Sequence, residues 1–97
     1  VGWADAYVQK LQTGVEVSFR PRGNSMVPKI NSGDLVTVSP KTSDVEKGDI
    51  VLCKVNGNQY LHLVTALDGK RYQISNNQGH VNGWTTQLYG KVTKVEQ

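Results

Sequence analysis

The chemistry open to this chain rests on one exposed-looking serine and two histidines. Ser25 lies in Gly23-Asn24-Ser25-Met26-Val27-Pro28, between a glycine and a proline that constrain the backbone on both sides. Gly23 permits a tight entry, and Pro28 keeps Val27 away from helical geometry, so the hydroxyl is presented on a bend where it can meet a substrate carbonyl. The same residue also fits an ordinary turn serine. Acyl transfer needs a base for the hydroxyl proton and backbone donors for the oxyanion. His62 falls mid-strand on an otherwise apolar face, where a satisfied core or structural histidine is normally the better reading; His80 lies in a polar Gly-Asn loop and is expected at the surface. Arg20 and Arg22 flank the serine turn and can bind a carboxylate, although solvated strand-end arginines are the commoner reading. Asp34 and Asp49 each directly precede a strand and read as turn residues bonding their own backbone. One cysteine and two distant histidines do not make a ligand set, so neither a metal nor a cofactor is expected.

The elements that must position these groups follow from pattern. The 97 residues, 37% hydrophobic and with ten glycines, describe a single domain over 1–97, mainly β. Trp3, Tyr7 and Leu11 recur four apart beside Ala4 and Val8, which predicts a short N-terminal helix within residues 1–14, ending before Gly14 and capping one edge. A β core is expected over 15–95. Val15, Val17 and Phe19 alternate with polar residues as a strand running into the Ser25 turn. Gly33-Asp34 and Gly48-Asp49 are matching turns into Leu35–Val38 and Ile50–Val55, separated by a polar loop from Ser39 to Glu46. Asn56-Gly57 predicts a two-residue type I′ hairpin, because both positions need positive φ. Pairing Val55 with Asn58 then sets Cys53 opposite Tyr60, Leu52 opposite Leu61 and Val51 opposite His62, with Lys54 on the other face from His62. Arg71–Ser75 reads as a strand, Asn76 to Trp84 as a loop, and Tyr89 to Val95 as a closing strand.

The net charge of +3 is scattered, with no like-charged run beyond Lys70-Arg71, so direct nucleic-acid contact is not expected. No apolar stretch approaches the ~20 residues that span a bilayer, and no secretion leader is visible. A cytoplasmic protein is expected, or a soluble domain of a longer, membrane-anchored one, since the chain starts at Val1 rather than Met. Cys53, inside an apolar run, is expected as a buried thiol with no disulfide partner.

Taken as an ordered set, the Gly23–Pro28 turn, the two Gly-Asp turn-strands and the hairpin bearing His62 resemble the peptidase clan of type I signal peptidases and LexA-type SOS repressors. The resemblance covers roughly residues 15–95 and implies bent antiparallel sheets of the catalytic-domain type found there. It also implies that Ser25 attacks a peptide carbonyl, that its backbone N–H contributes to the oxyanion hole, and that Gly23, Asn24 and Met26 shape that turn, Met26 packing beneath it. The base position of the clan falls on His62, which is similar to the Ser-His branch of archaeal and endoplasmic-reticulum signal peptidases rather than to the Ser-Lys branch. In that branch an Asp assists the histidine. The nearest match here is Ser75-Asn76-Asn77, which makes Asn76 the expected supporting residue, able to orient an imidazole but not to neutralise its charge.

Two functions follow from the resemblance. One is a serine endopeptidase acting through an acyl-enzyme on a peptide or protein, its own longer chain included, as a monomer or homodimer. The other is a catalytically weak or inactive module of the same fold that binds a peptide or partner in a phage- or repressor-like regulatory role. The Ser25–His62 pair favours the first, and Asn76 in place of a carboxylate favours the second. A repressor's DNA-binding domain and a signal peptidase's membrane segment are not visible in these residues, so a stand-alone member or a trimmed catalytic domain is expected.

Overall fold

Alternation of apolar and polar residues through Val, Thr and Tyr-rich segments builds strands, and turn residues at short intervals make them antiparallel neighbours. The computed structural model describes residues 2–97, so the first residue of the expected helical segment, Val1, lies outside them. The elements are α1 (Asp5–Gln12), β1 (Val17–Phe19), β2 (Leu35–Ser39), β3 (Ile50–Val55), β4 (Asn58–Asp68), β5 (Arg71–Ser75), β6 (Val81–Thr85) and β7 (Leu88–Glu96). They form one seven-stranded antiparallel sheet in the order β1-β2-β7-β3-β4-β5-β6. The strand that comes last in the chain therefore sits inside the sheet, between β2 and β3.

The β3–β4 register is the one that Asn56-Gly57 predicts: Val55 opposite Asn58, Cys53 opposite Tyr60, Val51 opposite His62. Both hairpin residues have positive φ, 49° at Asn56 and 84° at Gly57. The two Gly-Asp turns are also built alike. Asp34 Oδ2 accepts from the Asn31 N–H at 2.9 Å, and Asp49 Oδ2 from the Glu46 N–H at 2.8 Å, each carboxylate closing the turn three residues back.

Register shifts interrupt the β2–β7, β3–β7, β4–β5 and β5–β6 ladders, and each such bulge bends and twists the sheet. Because alternate residues face opposite sides, the bent sheet has two apolar clusters. Leu52 and Leu61 join Val36, Val38, Phe19, Ala4 just before α1, and the helix residues Val8 and Leu11 on one side. Val51, Cys53 and Val55 join Val45, Val64 and Ile74 on the other. Cys53 is fully buried, and burial pushes its thiol up to about 12. Among the described residues no helix is long and apolar enough to cross a membrane.

Two expectations about elements are corrected. The N-terminal helix lies across a face instead of capping an edge: Leu11 packs over Gly90 of central β7, where a Cβ would come within 2.6 Å of the Ser39 carbonyl oxygen. The span from Asn76 to Trp84 is not all loop, because Val81–Thr85 forms edge strand β6. Its Asn and Gly residues hide it from pattern reading, and its place is secured instead by backbone pairing to β5 and by Thr85 Oγ1 donating to the Lys54 carbonyl at 2.6 Å.

Candidate active site

The serine turn begins where β1 runs out. Arg20 donates to the Gly33 carbonyl at 2.8 Å and the Gly33 N–H to the Pro21 carbonyl at 3.1 Å, so the segment between them leaves and returns at one point. Within it Gly23 takes φ 110°, a conformation costly for any residue with a Cβ, and the turn exposes Ser25. Met26, by contrast, points inward and joins the core beneath the turn with Ile30, whose N–H bonds its carbonyl at 2.9 Å. Among the described residues the Ser25 N–H has no hydrogen-bond acceptor, which leaves it available to an oxyanion.

The hairpin delivers His62. Set mid-strand in β4 and only 8% exposed, its ring presents Nε2 at 3.1 Å from Ser25 Oγ and Nδ1 at 2.7 Å from Asn82 Oδ1. An amide oxygen can only accept, so Nδ1 carries the proton and the Nε2 lone pair faces the serine hydroxyl. Tyr60 stacks on the imidazole with centroids 4.9 Å apart, fixing the ring plane from one side. Burial lowers the His62 pKa from the usual 6.5; the bond to Asn82 opposes this, and the positive charge of nearby His80 adds to the lowering.

Asn76 does not support the histidine. Its Oδ1 accepts from the Gln78 and His80 N–H groups, each at 2.9 Å, and so closes its own turn. The supporting group is Asn82, which sequence reading missed. It is the extra residue of the β5–β6 bulge, between Val81 opposite Ser75 and Gly83 opposite Ile74, and a bulge re-aims the side chain it carries. The same loop was also missed as a clamp. The Asn77 N–H donates to the Ser25 carbonyl at 2.7 Å, Asn77 Nδ2 to the Val27 carbonyl at 2.9 Å, and Gln78 Nε2 to the Asn24 carbonyl at 2.9 Å. No local pattern signals those bonds, since they join residues about fifty positions apart. His80 is exposed, and Lys54 lies opposite Gln59, away from the Ser25–His62 pair.

Beside the pair lies a cleft of about 470 Å³ that Ser25 and His62 both line. A bulged antiparallel sheet that holds a serine turn against a strand-borne histidine is a peptidase-type domain in its architecture. The family model described as Peptidase S24-like matches residues 10–92, and the chain belongs to that family, within the clan of LexA and the signal peptidases. No curated protein matches the chain individually.

Proposed function

We propose that the domain is a serine endopeptidase that uses Ser25 and His62 as a dyad. The observation that carries this reading is the 3.1 Å contact from Ser25 Oγ to the unprotonated Nε2 of His62, with the tautomer set by Asn82. In the proposed reaction His62 Nε2 takes the hydroxyl proton as Ser25 Oγ attacks the peptide carbonyl, and the oxyanion is met by the Ser25 N–H. The imidazolium then gives its proton to the leaving amine, leaving an acyl-enzyme. Water, deprotonated by the same nitrogen, releases the acid. The substrate is an extended peptide, or a segment of a longer chain carrying this domain, added along the open outer edge of β1.

A second reading keeps the peptide site without turnover, as in a regulatory binding module. It is favoured by Asn82, which holds the imidazole but supplies no negative charge to stabilise the imidazolium. A serine-directed phosphonate separates the two. Labelling of the parent chain, lost in Ser25→Ala with a melting profile within about 0.5 kcal/mol of the parent, supports the peptidase. An unlabelled parent chain supports the binding module, and a strongly destabilised Ser25→Ala makes Ser25 a structural turn residue.

A further inference from the structure

The cleft beside Ser25 has a chemical character of its own. Three aromatic rings belong to the N-terminal side: Tyr7 stacks on Phe19 with centroids 4.3 Å apart, and Trp3 meets Phe19 edge-on at 5.9 Å. Trp3 is 52% exposed yet held in place, its indole N–H donating to the Gln59 carbonyl at 3.2 Å. Tyr60, stacked on His62, also lines the cleft. Trp3 is the exposed ring of the three, backed by half-buried Tyr7 and buried Phe19, and a ring so fixed is a preformed apolar platform whose filling costs little ordering. Arg20 and Arg22 also line this space, and among the described residues no carboxylate does. Arg20 is tied to the Gly33 carbonyl, while Arg22 has no hydrogen-bond or ion-pair partner among the described residues.

From this combination we infer that the cleft selects an extended peptide carrying a large apolar side chain and, close to it, an acidic one. The inference rests on reading the cleft as the peptide site of the proposed function. The apolar side chain lies against Trp3, Tyr7 and Phe19, and the carboxylate meets Arg22. An alanine-sized group leaves the approximately 470 Å³ space largely unfilled, so the discrimination against small side chains comes from apolar area left in water. The arginines add sign selectivity and a dependence on ionic strength, as solvent-reached charges do.

The test uses Ser25→Ala, so that binding is read without turnover, and three fluorescein-labelled peptides followed by anisotropy. One holds a phenylalanine beside a glutamate; in the second alanine replaces the phenylalanine; in the third lysine replaces the glutamate. The first should bind roughly tenfold more tightly than the second. Its several-fold advantage over the third should shrink as salt rises. Adding Trp3→Phe keeps the aromatic preference and Trp3→Ala weakens it, while Arg22→Glu, an exposed change, should invert the choice between glutamate and lysine peptides. Equal affinity for all three, a preference for lysine in the parent pair, or no binding at all overturns the inference. The two proposals fail separately: an unlabelled Ser25 with intact peptide discrimination removes only the peptidase, and a labelled Ser25 with no discrimination removes only this selectivity.

Discussion

Among the described residues His62 has no negative partner, and its behaviour with pH follows from that. Burial favours the neutral ring and sets its pKa below 6.5. Peptidase activity should therefore rise along a single acid limb below pH 6.5 and stay flat through neutrality into the mildly alkaline range. A pH–rate profile still climbing at about pH 9 would assign the base to another group, of the lysine type. Folding stability carries the same sign: the contribution of the neutral ring is present above 6.5 and is lost as pH falls through the folded pKa. Asn82 supplies a second test. Asn82→Ala leaves Nδ1 without its acceptor and should cost part of the ~10²–10⁴-fold contribution of a general base. Asn82→Asp keeps the acceptor and adds a charge that favours imidazolium, so its acid limb should move to higher pH. An Asn82→Asp profile superimposable on the parent's would place residue 82 outside the ring's hydrogen-bond reach. Turn chemistry placed Ser25 on a bend and hairpin register set the face of His62, while the pairing of the two was implied by the resemblance to the peptidase clan. Asn82 was not legible, because a one-residue bulge decides which of several neighbouring asparagines faces the ring, and nothing local marks it.

Elements with strong local chemistry could be read and those held by distant partners could not. Asn56-Gly57 fixed a whole register because two positive-φ positions leave one tight turn, and Asp34 and Asp49 closed their turns with their own carboxylates. β6 escaped notice because Asn82 and Gly83 belong to a strand only through what β5 offers them. The helix was foreseen, but its seat was not: Gly90 looks like any strand glycine until Leu11 is placed over it. That close approach makes a prediction. Gly90→Ala puts a methyl within 2.6 Å of both Ser39 O and Val38 Cγ1, and overpacking of this kind should lower stability by about 1–3 kcal/mol in chemical denaturation. Stability equal to the parent's would mean that α1 and β2 can withdraw from β7 freely.

At the scale of the molecule the site is a product of curvature. Ser25 follows β1 at one end of the strand order, His62 sits on β4, and Asn82 comes from β6 at the other end, so a flat sheet would hold them apart. The bulges that bend it are single-residue irregularities without a sequence signature, so the strands could be read from pattern while the bend was implied only by the resemblance to the peptidase clan. β7 adds something further. It joins β2 on one side to β3 on the other, so the β1–β2 pair and the β3–β6 sheet have no common strand until the latest-synthesised part of this chain is in place. Neither half has a reason to persist alone, and loss of order in one should be felt in both. Trp3 meets Phe19 of the first half and bonds the Gln59 carbonyl of the second, while Trp84 lies within the second alone, so single-tryptophan versions, each keeping one of them, should give superimposable urea transitions. Transitions separated in midpoint would mean that the halves hold together independently. If they coincide, the domain gains its shape in one step that waits for β7, and residues 1–87 alone should not hold Ser25 against His62.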